Sequence, residues 1–390
     1  MNKRICMVVF SYYPADPRPR REAEALVDAG WSVDMLCLRN HHESPTETVR
    51  GVQIYRLPLQ KQRGGKLRYL WEYFYFGLLA FFKLTRLHIS HPYRIVHVHN
   101  MPDILVFTAL IPRLFGAKIV LDLHDPMPEV FIAKYEMAAS HPVIRILRLF
   151  EKLSIAFAHK VLTPNLAFQA LFVARSCPPE KIQVLMNAPD ERIFTPRTPS
   201  AVVNPDQFVI MYHGTIVERN GLDTALYAIA QLTAKIPGLV FLVFGEGDFV
   251  PRFLEIKAEL NLQDTVRYHG HTPIEQIAAT LETIDLGIIP NKRSPFTEIN
   301  MPTRIFECLR MGKPVIAPRT QGILDYFAED ALFFFEPGDA DDLARVILAA
   351  YQDPARRAQV LQRGSLVCEQ HGWALEKQGL LNLANTLAAS

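Results

Sequence analysis

Arg304 and Glu307 stand three residues apart in MPTRIFECLRMGKPVIAP (301–318), a stretch that reads as a short helix followed by a buried strand. That spacing puts both side chains on one helix face. Pro302 suits the first helical position, Gly312 suits the C-terminal end, and Val315-Ile316-Ala317 continues as an apolar strand. A helix N-terminus with free amides and a nearby arginine suits a diphosphate. A carboxylate one turn further in accepts both hydroxyls of a ribose. An ordinary surface ion pair would use the same two residues. The rest of the chain decides between them.

Further polar groups sit where strands end. After the apolar run Ile5–Phe10 comes SYYPADPRPRREAEAL, with Arg18, Arg20 and Arg21 at a strand-to-helix turn. Basic residues at such a turn fit a phosphate, or form a solvated first helical turn. His97 and His99 alternate with valines in the strand 95–99, so both face one side. They have the look of a metal pair, but no third ligand follows at helical spacing, and a structural role suits at least one of them. In LDLHDPMPE (121–129), His124 and Asp125 occupy the turn after a strand. A histidine there can donate to a sugar oxygen, with Asp125 or Glu129 orienting its ring or binding hydroxyls. The competing role is a cap for the next helix.

Positioning these groups takes alternating strands and helices. In the first half, strands are expected at Ile5–Phe10, Ser32–Leu38, Val52–Arg56, Ile95–His99, Lys118–Leu123 and Lys160–Thr163. Helices are expected at Arg20–Ala29, Ile104–Leu114 and Val143–Ala158. The Pro-, Ser- and Asn-rich segment 196–207 reads as a linker, after which the alternation restarts at Phe208–His213. This predicts an α/β protein of two doubly wound parallel-sheet domains: 1–196, then 197–370, with a terminal helix over 371–390 packing back on the first. Such domains in series place a ligand in the cleft between them, at the carboxyl ends of their strands.

The bulk numbers agree with that plan. A chain of 390 residues exceeds one typical core and fits two domains. It is 49% hydrophobic and 21% charged, and its net charge of +2 argues against a nucleic-acid partner. The five cysteines have no CxxC spacing, as expected of buried thiols in a reducing, cytoplasmic setting. The N-terminal MNKRICMVVFSYYP reads as a first strand and not a signal peptide. No apolar run reaches the 18 or so residues of a membrane span. The first βα turn lacks G-x-G-x-x-G, which disfavours a nicotinamide dehydrogenase.

Taken together, these residues resemble glycosyltransferase family 4, the group 1 glycosyltransferases with two Rossmann-like domains (GT-B). The similar segments are 16–31, 96–103, 121–129, 212–226 (YHGTIVERNGLDTAL), 243–248 (VFGEGD), 284–290 and 301–317. Their order and spacing across both halves carry the likeness. The resemblance implies a retaining, metal-independent transferase that moves a sugar from a nucleotide-diphosphate sugar, UDP first among them, to an acceptor hydroxyl. It implies His124 near the transferred sugar, Glu307 on the ribose, and loop amides at Gly214-Thr215 near the diphosphate. Domain closure would bring His124 and the Arg18–Arg21 turn over the sugar. No cofactor is expected beyond the donor substrate. The Asp-x-Asp of DADD (339–342) is expected to cap a helix instead of binding a metal.

The chain departs from the family pattern at three positions. The usual arginine after the loop glycine is Thr215, the usual lysine before the next glycine is Asn220, and the usual glutamate eight residues before Glu307 is Ile299. Arg304 and Arg219 are expected to supply the missing positive charge, and Glu298 to face the donor sugar.

LRYLWEYFYFGLLAFFKL (67–84) is the most apolar stretch, flanked by Lys66, Arg68, Lys83 and Arg86. Tyr69, Trp71, Tyr73 and Tyr75 suit a membrane interface, and equally a helix buried on its own domain. An interfacial helix would fit a lipid-linked or polysaccharide acceptor of the cell envelope, met from the cytoplasmic face. Two other functions share the architecture: a nucleotide-sugar epimerase, and a non-catalytic sugar-nucleotide-binding scaffold.

Overall fold

The computed structural model describes residues 3–61, 66–195 and 206–389. Most of the expected linker, 196–205, lies outside them. The chain divides into two compact units, Met1–Asn187 with Ala374–Ser390, and Ala188–Trp373. The division thus falls before the expected 196/197 boundary. Residues just past it make their contacts with the second unit, as Glu191 does with Arg310.

The first unit is built on an eight-stranded sheet. Its strands are β1 (Arg4–Val8), β2 (Ser32–Leu38), β3 (Thr46–Val49), β4 (Val52–Leu57), β5 (Ile95–His99), β6 (Lys118–Asp122), β7 (Lys160–Thr163) and β8 (Ile182–Val184). They lie in the order β3-β4-β2-β1-β5-β6-β7-β8, parallel throughout except for the β3–β4 pair. Central strands such as RICMV are buried almost end to end, as a sheet covered on both faces requires. The chain builds outward from β1 in both directions, so the β1/β5 boundary is a topological switch point. Ligand-binding groups in such sheets collect at the carboxyl ends of these strands. The exposed TETV of β3 has no apolar alternation, which explains its absence from a hydrophobicity-based reading.

Among the helices of this unit are α1 (Pro17–Asp28), α2 (Lys66–Ser90), α3 (Leu110–Leu114), α4 (Met127–Tyr135) and α5 (Pro142–Phe157). The Asp16 side chain caps α1 by accepting from the Arg18 amide. The single helix expected over 104–114 is instead a 3₁₀ segment, Asp103–Ala109, followed by α3. Pro112 has no N–H to give the carbonyl four residues back, so one continuous α-ladder is interrupted there. The C-terminal helix Trp373–Ala389 packs on the first unit from residue 374 onward. Glu376 accepts from the Met186 amide at 2.8 Å, and Arg94 donates to the Ala388 carbonyl at 2.9 Å.

The second unit carries a parallel six-stranded sheet: β9 (Phe208–His213), β10 (Leu239–Phe244), β11 (Val266–Gly270), β12 (Leu286–Ile288), β13 (Val315–Pro318) and β14 (Phe333–Phe335). The order β11-β10-β9-β12-β13-β14 puts its switch point between β9 and β12. Ile210, Tyr212, Phe241, Val243, Leu286 and Ile316 form the centre of its core.

Candidate active site

The second unit gathers one polar group around the end of β9. The helix Thr303–Arg310 has Pro302 as its N-cap, one place before the first helical position expected of it, and no side chain caps it. The positive end of its dipole favours an anion at this turn. Arg304 leans back from this turn over the end of β9. Its Nη1 donates to the His213 carbonyl at 3.0 Å, and its guanidinium lies 4.6 Å over the Tyr212 ring. It has no carboxylate partner among the described residues.

Gly214 makes that approach possible. Its φ is +130°, and a Cβ there would stand 3.0 Å from Arg304 Nη1. Gly245, at the end of β10, packs against the same turn, where a Cβ would meet the Gly214 carbonyl oxygen at 1.9 Å. One turn beyond Arg304, Glu307 Oε2 meets His213 Nε2 at 2.6 Å. His213 was expected only as a strand end. Its signal was its place as the last residue before the glycine turn, and its partnership with Glu307 is a tertiary fact.

The loop after Gly214 is organised by its own polar groups. The Thr215 carbonyl accepts from Tyr212 Oη at 2.6 Å and from Asn220 Nδ2 at 2.7 Å. Asn220 thus closes the loop. Arg219 rests 5.5 Å over the Phe296 ring and makes no ion pair among the described residues. Glu298 is engaged with its own neighbours. It pairs with Arg293 and accepts from the Gln321 amide at 3.1 Å, bracing the short helix Gln321–Leu324. Asp339 accepts from the amides of Asp341 and Asp342, the capping role expected of DADD.

The first unit carries a second polar group at its switch point. β5 and β6 pair with His99 beside Asp122, and α1 lies over them. Arg18 donates to Asp122 Oδ1 at 2.6 Å and to Glu22 Oε1 at 3.3 Å. His124 Nε2 lies 3.2 Å from Asp122 Oδ2 and 3.0 Å from His99 Nδ1. Asn100 clamps the turn from below. It accepts from the His124 amide at 2.8 Å and donates to the Asp125 carbonyl at 2.8 Å and to Asp103 Oδ1 at 2.9 Å.

Burial alone would raise the Asp122 carboxyl, but Arg18 and His124 hold it well below the usual carboxylate range. Burial and the neighbouring Asp122 push Glu22 up. Burial, with His97 beside it, drives His99 well below the usual imidazole range.

This corrects two sequence-based expectations. Arg18 and Arg21 are not open phosphate ligands: both are buried, Arg18 on Asp122 and Glu22, Arg21 on Asn187 at 2.8 Å. A buried guanidinium takes carboxylate partners because burial without them is too costly. The His124 ring is held from the strand side by Asp122 and His99, and not by Asp125 or Glu129. Glu129 faces Arg175, which donates to both of its oxygens at 2.6 and 2.9 Å.

The aromatic segment has two faces. Phe76, Ala80 and Leu84 of α2 are fully buried, whereas Trp71 (63%), Phe74 (61%) and Phe82 (63%) are exposed. The Tyr69 side chain lies outside the described ones. α5 presents a second exposed apolar row, Ile146, Leu149, Phe150 and Leu153, beside exposed Arg145 and Lys152. Both helices pack against the Asp103–Ala109 segment. No helix among the described residues is long and apolar enough to cross a membrane.

Two parallel α/β sheets in series, each with polar groups at its strand ends, define the GT-B class of glycosyltransferase folds. The sequence pattern of the glycosyl transferase 4-like domain matches residues 15–188, and that of glycosyl transferases group 1 matches 197–366. The chain belongs to the group 1 glycosyltransferases. It is 25% identical over 190 residues to the amylovoran biosynthesis glycosyltransferase AmsK of Erwinia amylovora, covering 48% of this chain. The chain spans about half the length of the curated relatives it matches, 46% in that case. The fold is similar to sucrose-phosphate synthase from Thermosynechococcus elongatus (TM-score 0.83, 20% identity, 100% of both chains). It is also similar to Anabaena HepE in complex with UDP (TM-score 0.73, 16% identity, 100% of both chains).

Proposed function

We propose that this protein transfers a sugar from a nucleotide-diphosphate sugar to the hydroxyl of a cell-envelope glycan or lipid-linked precursor, with retention of anomeric configuration. The observation that carries the reading is the pair on one turn of the helix Thr303–Arg310. Arg304 lies over the Gly214 turn without a carboxylate partner among the described residues, and Glu307 is oriented by His213. Arg304, Arg219 and the N-terminal turn of that helix take the diphosphate, and Glu307 takes the ribose hydroxyls. As the bond from the sugar to the diphosphate breaks, negative charge grows on the leaving oxygen. A fixed guanidinium and helix amides stabilise that charge, so the donor site needs no metal ion. The acceptor hydroxyl attacks on the face the diphosphate leaves. His124 contributes to the transfer step. Glu298 serves the donor site indirectly in this reading, by tying Arg293 to the start of the helix Gln321–Leu324.

The acceptor side of the proposal rests on the first unit's exposed apolar rows. Trp71, Phe74 and Phe82 are exposed on α2, and on α5 Ile146, Leu149, Phe150 and Leu153 stand beside Arg145 and Lys152. Apolar side chains with flanking cations suit the interface of an anionic bilayer, where a lipid-linked acceptor resides. UDP is the first nucleotide to try, because HepE, similar in fold, was solved with it. The test is a thermal-shift panel of UDP, GDP, ADP and CMP on the wild type and on Glu307→Ala. A shift with one nucleotide, lost in the variant, supports the donor site. No shift with any of them removes it.

A further inference from the structure

Beneath the His124 turn, four buried side chains from three different elements converge: Glu22 of α1, His97 and His99 of β5, and Asp122 of β6. Each offers one ligand atom, and those atoms all lie within 4.8 Å of one another. The nearest separations are 3.4 Å from His99 Nδ1 to Asp122 Oδ2, 3.7 Å from His97 Nε2 to Asp122 Oδ2, and 3.9 Å from His97 Nε2 to Glu22 Oε2. A tetrahedral ion with bonds of about 2.0–2.1 Å sets its ligand atoms about 3.3–3.4 Å apart. These three spacings lie within about 0.6 Å of that geometry, and no pair of the four exceeds 4.8 Å.

Three of the four inward atoms also lack a hydrogen-bond partner, while the fourth, His99 Nδ1, faces His124 Nε2 at 3.0 Å. Glu22 Oε2, His97 Nε2 and Asp122 Oδ2 are buried and make no hydrogen bond among the described residues. A buried polar atom left without a partner keeps the full cost of its desolvation. The outer oxygens of the same carboxylates are satisfied: Arg18 donates to Asp122 Oδ1 and Glu22 Oε1. Arg18 therefore behaves as an outer-shell partner that turns Oδ2 and Oε2 toward the histidines. One guanidinium against two buried carboxylates also leaves negative charge for a further cation to meet.

We propose that Glu22, His97, His99 and Asp122 form a structural binding site for a divalent transition ion of the zinc class. Two imidazoles and two carboxylates suit that class. The ion ties α1 to β5 and β6 at the switch point. By holding Asp122 it also fixes the residue that meets His124 Nε2, so it acts as a positioning element. This site is independent of the proposed donor chemistry. Its ligands all belong to the first unit, whereas Arg304 and Glu307 belong to the second.

The test is metal analysis of the full-length protein, as purified without chelators or affinity metals and again after dialysis against zinc and removal of the excess. About one tightly held equivalent is expected in the wild type, with a lowered Tm after chelation. His97→Gln and Glu22→Gln should each cut the metal content at least several-fold. Both variants keep side-chain volume, and circular dichroism establishes that they are folded. Cobalt reconstitution of the wild type should give the intense visible absorption of a tetrahedral site. Less than about a tenth of an equivalent in folded wild type under both conditions overturns the proposal. So does full metal content in both variants, which would place the ion elsewhere. Should one variant fail to fold, the other and the cobalt spectrum decide.

Discussion

His213 Nε2 lies 2.6 Å from Glu307 Oε2, joining the last residue of β9 to the second turn of the helix Thr303–Arg310. One carboxylate oxygen is thereby fixed by the protein, and the carboxylate as a whole is oriented before any ligand arrives. Preorganisation of this kind lowers the ordering cost of binding. Glu307→Ala is expected to weaken nucleotide binding by about 10- to 100-fold, the worth of charge-assisted hydrogen bonds. His213→Phe should weaken it less, since the carboxylate remains but loses its brace. Calorimetric titration separates the two. Equal affinity in wild type and Glu307→Ala would remove the ribose assignment.

Gly214 and Arg304 form a second dependent pair. A Cβ at Gly214 would sit 3.0 Å from Arg304 Nη1, at a φ of +130° that L-residues rarely adopt. Gly214→Ala is expected to cost about 1–3 kcal/mol of stability from backbone strain. It should also displace Arg304 and lower donor affinity. If Arg304 carries the diphosphate, Gly214→Ala will have little further effect in an Arg304→Ala background. Fully additive losses in that double-mutant cycle would separate the two residues.

Asp103 supplies a pH prediction. Burial raises its carboxyl to about 7, against the hydrogen bond from Asn100. The unfolded chain releases that proton near pH 4. Between about pH 4 and pH 7 the folded state therefore binds more protons than the unfolded one, and this group's contribution to stability falls as pH rises. Asp103→Asn keeps an oxygen for Asn100 and removes the titration. Its Tm should change less than that of the wild type across this window. Parallel Tm profiles would show that Asp103 ionises normally in the fold.

The exposed apolar rows predict membrane binding. The wild type should co-sediment with vesicles containing anionic phospholipid, and binding should weaken with salt. Trp71→Glu and Leu149→Glu change exposed positions on α2 and α5, so both should stay folded and lose vesicle binding. Nucleotide binding should be unaffected. A wild type that ignores anionic vesicles would refute the membrane reading, leaving the donor site untouched.

Much of the fold was legible because strand and helix periodicities are local. Ile5–Phe10, Ser32–Leu38 and Phe208–His213 announced themselves as apolar runs, and Gly30 and Gly312 as stops. The exposed β3 carried no such pattern, and Pro112 broke a helix that periodicity alone would have continued. In the candidate donor site, Arg304 and Glu307 share a helix face by spacing alone. That Gly214 lets Arg304 approach, and that His213 braces Glu307, depends on which strand ends beside that helix.

Charge and residue type mark where chemistry is available, but not which partner each group takes. Arg18 and Arg21 read as open phosphate ligands at a strand-to-helix turn, yet Arg18 meets Asp122 across 104 residues of sequence. His97 and His99 read as a pair with no third ligand at helical spacing, because the buried carboxylates beside them, on Glu22 and Asp122, come from α1 and β6. The sequence by itself determined the elements, their parallel alternation and the polar strand ends, since these follow from spacings of two to four residues. Only the tertiary structure decided the pairings between those ends. They depend on strand order in the sheet, which brings distant segments side by side and makes buried charges settle on one another.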